Sequence, residues 1–202
     1  MLDALVLPHN IGLAHAMRSQ VLCKELQRRN CSVKLAYGGP YAFMVDPNLR
    51  FDGISNDYDV ADYAESLRRV NSGQVQFPFG DKNRLERIVE TEIGIITELK
   101  PKVVIGDTRL SLLISAQATS TPYVSVTNSN MTPYYKIIPL RHAARAQKTV
   151  EMYNEVLAEF GSKKQRKNFY EILVGNLNLI VDLSEFMPIK RLPNTARFVG
   201  PM

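Results

Sequence analysis

The chain has 202 residues, 45% hydrophobic and 22% charged, with a formal net charge of +5. These values fit a soluble globular protein that can bury a core without staples, and they exclude disordered, fibrous and disulfide-framework classes. Cys23 and Cys31 form neither a CxxC pair nor a metal-ligand spacing, which implies a reducing compartment and a cytoplasmic location. The apolar run nearest in length to a bilayer span, "EILVGNLNLIVDL", is interrupted by Gly175, Asn176 and Asn178, so no transmembrane segment is expected and only peripheral membrane contact stays open. Basic residues are spread along the chain except for "KKQRK" at 163–167, which reads as a solvated helix face, so no nucleic-acid partner is expected.

Apolar runs alternate with helical patterns. Leu2–Leu7 reads as a first strand, and Ala14–Arg29 as a helix with basic residues in its last turn and Asn30 as a left-handed cap. "SVKLAY" at 32–37 is a second strand, broken by Gly38-Gly39-Pro40, and "RFDGI" suggests a short third. Asp59–Val70 carries a modest helical pattern, and 71–80 reads as a loop. Asp81 caps a long helix reaching Lys100, with Leu85, Ile88, Val89, Ile95, Ile96 and Leu99 on its apolar face, and Pro101 ends it. "KVVIGD" at 102–107 is a buried strand, Leu110–Ala118 a short helix and "PYVSVTN" at 122–128 another strand. Residues 133–174 look helical throughout, broken near Gln147 and Gly161–Ser162. Strands at 178–183 and 196–200 complete the pattern.

Strands alternating with helices imply parallel pairing through right-handed crossovers. Strands that are apolar throughout imply cover on both faces. The expected fold is a doubly wound, mostly parallel α/β sheet of Rossmann-like type. Ligands of such sheets sit beyond the carboxyl ends of the strands, where strand order reverses. Here the strands at 2–7 and 102–107 flank that point, and the loops "PHNIGLAH" and "DTR" follow them.

At 100° per residue, His15 lies within about 40° of Ser19, Leu22 and Leu26 on the sheet-facing stripe of the first helix. It therefore reaches the crevice rim that Asp107 also reaches. A carboxylate on one imidazole nitrogen would fix the tautomer and leave the other nitrogen as a base for a hydroxyl nucleophile. Two plainer roles stay open: a packed helix-start histidine, and an aspartate capping the helix after Thr108. His9 reads as a loop residue facing the crevice and His142 as a surface residue; three scattered histidines give no metal site. GxGxxG, GxxxxGK[ST] and GxSxG are all absent, against dinucleotide-fingerprint, P-loop and α/β-hydrolase chemistry.

"GLAHAMRSQVLCKELQRRNCSV" resembles the amino-terminal signature of GT-B glycosyltransferases. His15 matches its histidine, Arg18 its arginine, Leu22-Cys23 its Leu-Ala pair and Val33 its closing valine. "LKPKVVIGDTRLSLLISAQATSTPYVSV" and "NLNLIVDLSEFMPIKRLPNTARFVGPM" resemble two further segments of the same half, in the same order. UDP-glycosyltransferases, macrolide glycosyltransferases and MurG-like enzymes share this pattern. The resemblance implies an inverting sugar transfer with His15 as base and Asp107 as its partner. It also implies that residues 1–202 form one acceptor-binding domain. The donor, a UDP- or dTDP-sugar, would bind a carboxyl-terminal domain absent from this chain, leaving this half inactive alone. No cofactor or metal is expected in it.

The acceptor, a small molecule or a lipid-linked one, is expected among the loops beyond the strands. Asn10, Gly12, Thr108 and Arg109 come from the two crevice loops; Tyr41 follows strand two; Asn128, Asn130 and Tyr134 follow the strand at 122–128. Phe43, Met44 and Tyr135 lie beside them, and Arg18 suits a phosphate or a carboxylate on its own surface. Two alternatives are a nucleotide-sugar hydrolase, since "AHAMR" is close to a "GHVMR" helix, and a non-catalytic acceptor-binding subunit of a split transferase.

Overall fold

The computed structural model describes residues 1–10, 12–54, 81–136, 140–162 and 164–202, with 140–146 described by backbone alone. The expected helix at Asp59–Val70 and loop at 71–80 lie outside these residues, as does the His142 side chain. Seven strands form one sheet: β1 (Ala4–Pro8), β2 (Val33–Ala36), β3 (Arg50–Phe51), β4 (Val103–Asp107), β5 (Tyr123–Thr127), β6 (Leu177–Ile180) and β7 (Ala196–Phe198). Their order is β3-β2-β1-β4-β5-β6-β7, and every pair is parallel. The order reverses between β1 and β4, the point expected from the chain order.

Four helices are described: α1 (Leu13–Arg28), α2 (Lys82–Leu99), α3 (Leu112–Ala118) and α4 (Leu140–Glu159). Their ends follow local chemistry. Asn30 and Lys100 take left-handed conformations after α1 and α2 (φ 62° and 47°), turning the chain into the next strand. The Asp81 carboxylate accepts from the Arg84 N–H at 2.8 Å and caps α2.

The sheet is covered on both sides, which is why its strands do not alternate in polarity. Leu5 and Leu7 of β1 and Val104 of β4 pack with α2, α3 and α4 on one face. Ala4, Val6 and Ile105 pack with Ala16 and Cys23 of α1 on the other. Each buried Leu, Ile or Val among them contributes about 1.5–3 kcal/mol relative to exposure. The inward stripe of α1 is Ala16, Ser19, Gln20 and Cys23, with Leu22 and Leu26 half-buried at its margin.

Residues 133–174 depart from the all-helical expectation. Tyr135 bridges Ile189 in antiparallel fashion, and the Lys136 N–H donates to the Pro188 carbonyl at 2.8 Å. Helix α4 runs through Gln147 without a break, because 140–159 holds no glycine or proline. The helix ends before Gly161 (φ 88°), and the described part of "KKQRK", 164–167, is non-helical.

Within the first face lies a polar cluster. Glu92 of α2, with no exposed surface, accepts from Arg109 Nε at 2.6 Å, from the Ser111 hydroxyl at 2.6 Å and from the Ser115 hydroxyl. It ties α2 to the start of α3. Removing one member of a buried ion pair leaves the other charge uncompensated, at a cost of about 3–5 kcal/mol. Glu92→Ala should therefore lower the urea midpoint by that equivalent, and Glu92→Gln, which keeps hydrogen-bonding atoms for the two serines, by less.

Candidate functional site

The crevice at the switch point is built by backbone pairing. Pro8 lies opposite Asp107 in the β1–β4 register, and the His9 N–H donates to the Asp107 carbonyl at 2.9 Å. Both loops therefore leave the sheet at one level. Thr108 then takes a left-handed conformation (φ 52°), a cost of about 1–3 kcal/mol for a β-branched residue. Its N–H donates to the Val126 carbonyl, and its hydroxyl to Asp107 Oδ1 at 3.3 Å. Gly12 stands at the N-cap of α1, where an added Cβ would sit 2.5 Å from His15 Cδ2. Gly12 is thus the space that the imidazole occupies. Gly39 plays a similar part after β2: its Cβ would stand 1.8 Å from the Asn10 carbonyl oxygen.

His15 Nδ1 lies 3.0 Å from Asp107 Oδ1. Arg18, one turn along α1, donates Nε to Asp107 Oδ2 at 2.7 Å and Nη2 to Oδ1. The same Nη2 lies 3.2 Å from His15 Nδ1. A guanidinium only donates and an ionised carboxylate only accepts. A hydrogen on Nδ1, donated to the carboxylate, would leave Nε2 with its lone pair. Side-chain exposure is 25% for His15, 13% for Arg18 and 3% for Asp107. Burial pushes the Asp107 carboxyl up, but the bonds from His15 and Arg18 and the Arg18 charge outweigh it and hold the group below the usual range. The capping alternative for Asp107 is not what the structure shows: Ser111 stands at the N-cap of α3.

A cleft of about 500 Å³ opens beside this cluster, lined in part by His15, Thr108, Asn128, Asn130, Tyr135 and Asp182. Asp182, two residues beyond β6, accepts from Asn128 Nδ2 at 3.1 Å and from the Ser129 N–H. Burial pushes this carboxyl up too, and the Ser129 and Asn128 bonds with the nearby Arg18 charge hold it below the ordinary range. Two ionised carboxylates thus share the site with one guanidinium and one imidazole.

The expected site residues divide. His15, Thr108, Asn128 and Asn130 line the cleft, Asp107 lies directly behind His15, and Gly12 touches the imidazole. Arg109 corrects its expectation: its Nε is bound to Glu92 in the core, so it does not line the cleft. Tyr134 gives way to Tyr135, which lines the cleft, while the Tyr134 carbonyl accepts from the Lys190 N–H. Tyr41 packs half-buried against the α1-side core instead of lining the cleft. Asn10 is only 1% exposed and also outside the lining; neither of its amide atoms has a hydrogen-bond partner. Asp182 was missed, although it follows β6 as Asp107 ends β4. Among the described residues no group of three or more metal-ligating side chains occurs, and no helix is long and apolar enough to cross a membrane.

No family model matches the chain. In sequence it is similar to glycosyltransferases. One is a PGL/p-HBAD biosynthesis glycosyltransferase of Mycobacterium tuberculosis, 24% identical over 94% of this chain and 48% of that protein. A PGL/p-HBAD biosynthesis rhamnosyltransferase of Mycobacterium bovis is 23% identical over 95% and 46%. Another relative, from Mycobacterium bovis, is named as inactive, at 24% identity over 94% and 56%. In structure the chain resembles the calicheamicin glycosyltransferase CalG4 (TM-score 0.63, 17% identity, 100% of this chain and 52% of that one). It also resembles SnogD from Streptomyces nogalater (TM-score 0.61, 15%, 98% and 50%). The spinosyn rhamnosyltransferase SpnG, solved with thymidine diphosphate, matches at TM-score 0.53 and 13% identity over 89% and 45%. The chain has the fold of a half-length GT-B domain, and it spans about half the length of the curated relatives it matches.

His9 supplies a test of the crevice. Its ring centroid lies 5.6 Å from that of His15, and burial, with the neighbouring His15 and Arg109, pushes its imidazole down to about 3. The unfolded chain binds this proton below about pH 6.5 and the folded chain does not until about 3. Stability should therefore fall as pH drops through that interval. His9→Gln should flatten the decline in denaturant midpoint between about pH 6.5 and 4.

Proposed function

We propose that this chain is the acceptor-side half of an inverting glycosyltransferase that moves a sugar from a nucleoside-diphosphate sugar to an acceptor hydroxyl. The observation that carries this reading is the His15–Asp107 contact at the mouth of the switch-point cleft, in a chain whose sequence relatives and fold neighbours are glycosyltransferases. His15 Nε2 takes the acceptor's hydroxyl proton. The oxygen attacks the anomeric carbon from the face opposite the leaving group. The bond from that carbon to the diphosphate oxygen breaks, and the nucleoside diphosphate departs. Asp107 keeps Nδ1–H fixed and stabilises the imidazolium as it forms. Arg18 holds the Asp107 carboxylate in place from its other side.

Asn128, Asn130, Thr108 and Tyr135 line the space for the acceptor, and Asp182 offers a carboxylate to one of its hydroxyl or amino hydrogens. A UDP- or dTDP-sugar would be held by a second α/β domain facing this cleft. Thymidine diphosphate in one neighbour and the rhamnosyl transfer named for two proteins are compatible with a deoxysugar donor. Met131 and Met187 line the cleft beside its polar residues, which makes an amphipathic acceptor the first class to try.

The test joins this half to a donor-binding half and measures transfer from dTDP- and UDP-sugars to amphipathic acceptors that carry a free hydroxyl. His15→Ala should cost about 10²–10⁴ in turnover with the thermal midpoint kept, the range for loss of a general base. Asp107→Asn should cost less, because the base remains. Near-normal turnover in His15→Ala rejects the base assignment, and rapid release of free sugar without acceptor turns the reading to a hydrolase.

A further inference from the structure

The opposite ends of the strands carry a second concavity. Where β5 and β6 begin, the end of α3, the turn at Ser120–Pro122, the segment after α4 and Val174–Asn176 enclose about 480 Å³. This volume is in the range of small-molecule sites. The switch-point cleft lies at the other ends of these strands, so the two sites do not overlap.

Its chemistry is cationic and hydrogen-bond donating. Lys164 and Arg166 line it with Gln117, Ser120, Thr121 and Asn176, and no carboxylate is among its described lining residues. The Arg166 backbone is held firmly: its N–H donates to Asn154 Oδ1 at 2.7 Å, and Asn154 Nδ2 donates to its carbonyl at 2.9 Å. The Arg166 Nε is buried with no hydrogen-bond partner in the protein. A buried charged donor left unpaired is costly. Asn176 spends Oδ1 on the Tyr123 N–H at 2.9 Å, so donation through Nδ2 is what its amide has left. The carbonyls ending α3 are engaged as well: Thr119, Ser120 and Thr121 donate to those of Ser115, Gln117 and Ala116. The usual negative end of a helix is thereby muted at the pocket wall.

We propose that this pocket is a binding site for a phosphate-bearing group, with Arg166 as its fixed donor and Lys164 as its second cation. A tetrahedral dianion suits the set, since it accepts from a guanidinium, an ammonium and neutral donors together. Lys164 and Arg166 of the basic run then supply a site as well as solvated surface. The same chemistry is presented by a soluble phosphate ester and by an anionic lipid headgroup.

The experiment is calorimetric titration of the complete chain with inorganic phosphate and glycerol 3-phosphate at low salt. It is paired with sedimentation on phosphatidylglycerol and phosphatidylcholine vesicles. Saturable one-to-one binding is expected, weakened about tenfold or more in Arg166→Gln and in Lys164→Gln, the loss of one charge-assisted bond. His15→Ala should bind as the parent does, separating this site from the cleft. Sedimentation with phosphatidylglycerol vesicles alone, competed by phosphate and lost in both variants, assigns the lipid headgroup; phosphate binding without sedimentation assigns the soluble ester. Lys164 is exposed, so Lys164→Gln keeps the test if Arg166→Gln does not fold. Absence of saturable phosphate binding, or equal binding by folded variants and parent, overturns the proposal.

Discussion

The parallel pairing of β1 with β4 is the constraint on which the site depends. It sets Pro8 level with Asp107, so the chain leaving β1 and the chain leaving β4 start from one line. Helix α1 must then begin within a few residues, and its first turn brings His15 to the carboxylate that ends the neighbouring strand. The contact joins residues 92 apart in sequence. A one-residue slip would exchange the sheet faces that Asp107 and Gly106 address and part the carboxylate from the imidazole. Burial enforces the register, since Leu5, Val6 and Val104 are fully enclosed and none can be moved to solvent without losing its place in a core.

Much of this was legible from pattern. Strand order, the reversal point and the meeting of His15 with Asp107 follow from alternating strands and helices, a handedness rule and a helical wheel. The left-handed Asn30 and the Asp81 cap are equally local. What escaped the sequence was set by long-range partners. Arg109 looked like a crevice cation because it stands two residues after Asp107; Glu92, 17 residues earlier on α2, draws it into the core. Tyr134 and Tyr135 are indistinguishable until the segment pairs with 188–190 and fixes which one turns to the cleft. The helical reading of 133–174 counted favourable propensities but could not weigh that pairing.

Arg18 changes what the dyad means physically. An aspartate held by histidine alone can turn about its own bonds. This one is gripped on both oxygens by Arg18 and touched by the Thr108 hydroxyl, so the lone pair facing His15 is fixed in direction. The ion pair also shares out the carboxylate's charge, leaving the imidazole to compete with a guanidinium for it. Under the proposed transfer, orientation would be the firmer contribution of Asp107 and charge stabilisation the weaker one. Gly12 belongs to the same arrangement, since any side chain there would displace the ring that Asp107 aims.

The strain at Thr108 fits the same economy of position. Its left-handed turn is unfavourable for a β-branched residue, yet the conformation lets one residue bond β5 through its N–H and Asp107 through its hydroxyl. An extended Thr108 would carry the hydroxyl away with the chain. The cost is met by packing elsewhere: Arg109, immediately after, is anchored to Glu92, and Leu110 and Leu112 enter the core. The buried cluster beneath α3 and the cleft above it are thus mechanically joined through three consecutive residues. A change at Glu92 should therefore loosen the loop that presents Asp107 as well as the helix that carries Glu92.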